Sequence, residues 1–107
     1  MQKIRQTLIY SVPASLWDTF IQLSGILEIW EKELVFRLLD FKDSHLNLCI
    51  PFESIEQVKE YLVFDLAKNG LRIQNKDGKF DLFVLEEVSV FKKVLSTQIK
   101  KSLNRTL

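Results

Sequence analysis

The sequence predicts an α+β fold with a ferredoxin-like β-α-β-β-α-β core, extended by a further strand and a C-terminal amphipathic helix. Three patterns carry this prediction: short runs in which apolar and polar residues alternate, longer runs with apolar residues at three- and four-residue steps, and turn-forming residues between them. The expected order is β-α-β-β-α-β-β-α, with both core helices covering one face of the sheet.

Residues 3 to 12 read as the first strand, because Ile4, Leu8, Tyr10 and Val12 fall on one side and Lys3, Arg5, Thr7 and Ser11 on the other. Pro13 is expected to end it. Ser15 then caps an expected helix over residues 16 to 31, with Leu16, Phe20, Leu23, Leu27 and Trp30 on its core stripe and Gly25 weakening its middle. Two apolar runs, 34 to 41 and 45 to 52, flank Lys42-Asp43-Ser44 at the spacing of a hairpin. In the second run Leu46, Leu48, Ile50 and Phe52 alternate with His45, Asn47, Cys49 and Pro51.

Ser54 followed by Gln57 has the form of a capping box, opening a second expected helix that Asn69-Gly70 closes. Residues 71 to 74 and 79 to 85 form a second hairpin around Asn75-Lys76-Asp77-Gly78. Val88, Phe91, Leu95, Ile99 and Leu103 trace the last helix.

The 107 residues are expected to form a single α+β domain, with 47% hydrophobic and 11% aromatic side chains to fill its core. Fifteen basic and fourteen acidic side chains leave a formal net charge of +1, so any electrostatic partner has to be met by a local patch. The single Cys49 forms no internal disulfide, and Met1-Gln2-Lys3 does not open a secretory leader, which together predict a reducing, cytoplasmic location. Asp18, Glu28 and Glu31 punctuate the most hydrophobic stretch, so no transmembrane segment is expected. Contact with a membrane surface is not expected either.

No catalytic residue, metal or cofactor is assigned. The glycines stand apart at positions 25, 70 and 78, which is not the clustering a phosphate loop requires. One Cys and one His are too few for zinc, and Cys49 and His45 on one strand lie roughly 13 Å apart, beyond proton-transfer reach. Asp40, Asp43 and His45 read as a solvated turn. Glu53 and Glu56, like Glu86 and Glu87, lie at expected helix starts, where negative charge complements the helix dipole.

Two surfaces remain for function. On helical wheels, Trp17 and Ile21 fall beside the core stripe of the first expected helix, and Tyr61 and Phe64 outside that of the second. Trp17, Ile21, Tyr61 and Phe64 are therefore the interface candidates, since aromatic side chains carry much of the energy of protein interfaces. The second surface is the last helix. Residues 91 to 107 hold Lys92, Lys93, Lys100, Lys101 and Arg105 and no acid. Lys93, Lys100, Lys101 and Arg105 are the candidates for binding an anion or nucleic acid, with Lys3, Arg5, Arg72 and Lys79 adding charge from sheet faces. The glycine- and aromatic-rich strand signature of single-stranded RNA binding is absent.

The expected function is a non-catalytic protein-interaction module, a small adaptor or regulatory protein that docks on a protein or forms a homo-oligomer through its helical layer. A nucleic-acid-associated protein using the basic helix is the alternative, and an enzyme whose site is assembled from distant residues is a third.

Overall fold

The computed structural model describes residues 7–18, 21–38, 47–62 and 69–104. They form β1 (Leu8–Asp18), β2 (Ile21–Trp30), β3 (Glu33–Leu38), β4 (Leu48–Pro51), β5 (Ile55–Leu62), β6 (Asn69–Asn75), β7 (Phe80–Leu85) and α1 (Val88–Asn104), with a 3-10 turn, Phe52–Ser54, between β4 and β5. The strands make one antiparallel sheet in the order β4-β3-β2-β1-β7-β6-β5. Two meanders, β1 to β4 and β5 to β7, are thus joined edge to edge where β1 meets β7 over Ser15–Trp17.

This order replaces the expected ferredoxin-like core. Both core helices are absent among the described residues, and strands stand in their place. The stretch expected as the first helix supplies the end of β1 and all of β2. Leu23 and Leu27 are four residues apart, a spacing that satisfies a helical stripe and a strand's two-residue repeat equally. What distinguishes the two is Leu27 with Ile29, both fully buried, while Gln22, Ser24, Ile26, Glu28 and Trp30 alternate toward the other side. Isoleucines at 21, 26 and 29 also favour the extended chain. Gly25 is required by a close approach rather than tolerated in a helix: a Cβ there would collide with the Arg37 carbonyl and come within 2.6 Å of Phe36 Cζ.

The second expected helix is β5 as far as Leu62, and residues 63 to 68, including Phe64 and Leu66, lie outside the described residues. Ser54 does not cap a helix. Its hydroxyl donates to the Pro51 carbonyl at 2.8 Å, and its own carbonyl accepts from Lys76 N at 2.9 Å. Pro13 does not end the first strand but sits inside β1 opposite Ile26. At that point β7 has parted from β1, so β1 has a strand neighbour on one side alone and a missing N–H need interrupt no ladder.

The strands of both expected hairpins pair. β3 pairs with β4 from Glu33↔Pro51 to Phe36↔Leu48, and the Lys42-Asp43-Ser44 turn lies outside the described residues. β6 pairs with β7 around a turn in which Asn75 N donates to Lys79 O at 2.7 Å and Gly78 adopts φ 94°. The last helix is α1, and it buries Val88, Phe91 and Leu95 against the sheet's inner face. Leu103, expected on the same stripe, is exposed.

The core lies on the face of the sheet that α1 covers. Phe36 and Phe83 from the two meanders meet at 5.6 Å between ring centroids, and Phe91 from α1 meets Tyr10 of β1 at 6.0 Å. Two polar contacts tie α1 to the rim: Ser89 Oγ donates to Glu60 Oε1 at 3.0 Å, and Gln98 Nε2 to the Glu31 carbonyl at 3.3 Å.

Candidate interaction surface

Because alternate residues of a strand face opposite ways, the buried residues define the outer face by elimination. Ala14 of β1, Leu71 and Ile73 of β6, and Phe83 and Leu85 of β7 are buried inward. Their neighbours therefore face out. The ladder then places Gln22, Trp17, Leu82, Arg72 and Lys59 side by side across β2, β1, β7, β6 and β5. A second outward row is Ser24, Ser15, Val84, Gly70 and Tyr61, and a third is Phe80, Gln74 and Gln57.

Within these rows the side chains hold one another. The Tyr61 ring lies across β6 at Gly70, where a Cβ would come within 2.5 Å of its Cε1 and Cζ. Glycine is what lets the ring settle there. Arg72 places its guanidinium 4.5 Å from the centre of the Phe80 ring, a cation–π stack, and Nη2 makes a long 3.3 Å bond to Gln74 Oε1. Arg72 Nε is shielded from solvent and has no acceptor. Burial pushes the Tyr61 hydroxyl pKa above its usual 10.0, and the nearby Arg72 charge opposes the shift without cancelling it.

Trp17 and Tyr61, read from the sequence as flanks of two helices, are thus half-buried residues of one outer sheet face. Ile21 is 60% exposed, but it belongs to the inward register of β2, at the end of the strand beside Asp18. It is not part of this face. Phe64 lies outside the described residues. Leu82, Val84, Phe80 and Lys59 were not singled out in the sequence, although residues 80 to 85 show the signal: apolar side chains at both parities, with only Asp81 breaking the run.

Lys93, Lys100 and Lys101 are exposed on the side of α1 turned away from the core, and Arg105 lies outside the described residues. Exposed Val90 lies on that side too. A polar hollow of about 430 Å³ opens elsewhere, between the Phe52–Ser54 turn and the β6–β7 turn, lined by Glu53, Ser54, Asn75, Lys76 and Asp77. Among the described residues no three His, Cys, Asp or Glu side chains converge as metal ligands. Cys49 is exposed on β4, and His45 lies outside the described residues. No described helix is long and apolar enough to cross a membrane.

Among the described residues, the seven-stranded antiparallel sheet with its C-terminal helix resembles a PH-domain-like fold. The N-terminal PH domain of Vps36 is similar to this chain with a TM-score of 0.76, at 12% identity, over 97% of this chain and 86% of its own. The C-terminal domain of an unknown protein from Leishmania infantum is similar with a TM-score of 0.72, at 14% identity, over 88% and 85% of the two chains. At such identities the likeness is one of fold, and function has to be argued from the surface. No protein-family model matches the sequence, and no curated protein matches it significantly.

Proposed function

We propose that this chain is a non-catalytic interaction module that docks a protein partner through the outer face of β1, β7, β6 and β5. The observation that carries this reading is the apolar and aromatic content of that face. An antiparallel sheet with one side on a core ordinarily turns polar residues outward. Here Trp17 on β1, Leu82 and Val84 on β7 and Tyr61 on β5 occupy outward positions, with Arg72 of β6 among them. Trp, Tyr and Arg are the residue types most enriched where interface energy concentrates. The fold supports the same class of function, since PH-like domains are often protein or lipid interaction modules.

The test is a double variant, Trp17→Ala with Tyr61→Ala, compared with the wild-type chain in quantitative affinity capture and in light scattering across protein concentration. The variant is expected to keep a cooperative urea transition and to lose the captured proteins or the concentration-dependent mass. Association undiminished in a folded variant contradicts the reading. Loss of the cooperative transition assigns both side chains to the support of the fold instead.

A further inference from the structure

The outer sheet face has a charge arrangement that protein docking in general does not explain. Lys59 and Arg72 stand directly opposite each other on β5 and β6, both in the outward register. Like charges in that relation destabilise a strand pair. On the other meander an outward charge is matched: Glu28 Oε1 accepts from Arg37 Nε at 2.9 Å and from Trp30 Nε1 at 2.9 Å. The three outward rows around Lys59 and Arg72 contain no Asp or Glu at all, only the Gln, Ser, Gly, aromatic and aliphatic residues named above.

Arg72 is also prepared for a ligand. The Phe80 stack at 4.5 Å restrains a planar fork that already lies among apolar neighbours. A restrained guanidinium loses less freedom on binding, and its planar donor pair matches a carboxylate. Leu82 and Trp17 beside it lower the local dielectric, which strengthens such a bond.

We infer that this face receives an acidic peptide segment of the partner, with a carboxylate side chain drawn to Arg72 and Lys59 and an adjacent apolar side chain resting on Trp17 and Leu82. The inference rests on the reading of this face as a protein-docking surface and adds the chemistry of the docked segment. Five strands span ~19 Å and three rows ~14 Å, an area of roughly 300 Å². That falls well below the ~800 Å² per partner of a stable interface between two folded surfaces, and so argues against a second copy of the chain seated on this face alone. It is the reach of about six extended residues.

Single-stranded nucleic acid fits less well. Base stacking needs open rings; one face of the half-exposed Phe80 is taken by Arg72, Tyr61 lies over Gly70, and the Nε1 of Trp17 is enclosed. Two cations also neutralise little of a phosphate backbone.

The probe is a phage-displayed library of random twelve-residue peptides selected on the full chain, with oligothymidylate as the nucleic-acid arm. Selected peptides are expected to carry Asp or Glu next to an aromatic or aliphatic residue. Their affinity, read by fluorescence anisotropy, is expected to fall about tenfold or more in Arg72→Gln, the scale of a charge-assisted hydrogen bond. Lys59→Gln is the variant that keeps the fold, because Lys59 is exposed on an edge strand. It is expected to weaken the same peptides several-fold while its thermal midpoint holds or rises, the like-charge pair having been removed. Selected peptides that need Trp17 and Tyr61 but carry no acid and ignore Lys59→Gln overturn the acidic specificity and leave protein docking standing. No selectable peptide, peptides indifferent to all four residues, or tighter binding of oligothymidylate to this face overturns the inference together with the reading beneath it.

Discussion

Gly25 and Gly70 place two aromatic rings, one on each side of the sheet. Phe36 fills the space above Gly25 on the core side, and Tyr61 the space above Gly70 on the outer side. Neither position has room for a Cβ, so each ring is seated by the absence of a neighbour's side chain. Tyr61 shows the consequence in its titration. Its folded-state pKa stands above the usual 10.0 because burial disfavours the phenolate. A group that holds its proton more tightly when folded contributes stability that is fully present below the unfolded pKa and is lost as pH rises through the folded value. Stability is therefore expected to decline above about pH 10, where Tyr61→Phe, which cannot ionise, declines less. Urea midpoints of the two proteins across alkaline pH check this, and parallel curves would contradict it.

At the scale of elements, the β6–β7 hairpin and the start of α1 each need one residue with positive φ. The hairpin uses Gly78 at φ 94°, while the junction into α1 uses Glu87 at φ 52°. Gly78 accepts that conformation without cost, with Asp77 Oδ1 accepting from Lys79 N at 3.0 Å to close the turn. Glu87 does not, since a residue with a Cβ loses roughly 1–2 kcal/mol in the left-handed region. Its carbonyl accepts from Phe91 N at 3.2 Å, so the strained residue also begins the helix ladder. Glu87→Gly is expected to stabilise the chain by about 0.5–1 kcal/mol after the added flexibility of the unfolded state is subtracted. A urea midpoint that stays the same or falls in the variant would falsify this account of the junction. The sequence marked the hairpin through Asn75-Lys76-Asp77-Gly78 but left Glu87 unmarked, because a glutamate carries no signal of left-handed backbone.

Across the whole molecule, one sheet carries the core on a single face and α1 covers it. Phe91 is fully buried and reaches β1 through Tyr10, so the helix contacts the strand at which the two meanders join. Phe91→Ala is expected to cost about 3–5 kcal/mol, as truncating a buried aromatic side chain does. Measured against a total of about 5–15 kcal/mol for a domain, that loss brings the chain near its unfolding threshold. Calorimetry gives the direct reading, and a shift of only a degree or two in Tm would mean that α1 is an appendage rather than the lid of the core. The outer face proposed for docking is on the opposite side of the sheet from α1. A partner there is expected to leave the Phe91 contacts untouched.

Local chemistry alone determined a good part of this molecule. Both hairpins, the last helix with its buried stripe, and the inward alternation from Leu48 to Phe52 were legible because each depends on neighbours within a few residues. The apolar surplus at Trp17 and Tyr61 was legible too, but as an anomaly on two helices. Its meaning was that there are no helices there: apolar residues falling beyond one helical stripe are what a strand with two half-buried faces looks like when read at the wrong period. Four-residue spacings such as Leu23 to Leu27 fit both periods, and local pattern has no means of choosing between them. Tertiary pairing chose. β2 gained a ladder on each side and a close approach of Phe36 over Gly25. The outer face likewise exists only in the folded chain, because Trp17, Lys59, Arg72 and Leu82 come from four strands, and the pairing of β1 with β7 across most of the chain's length brings them into one row.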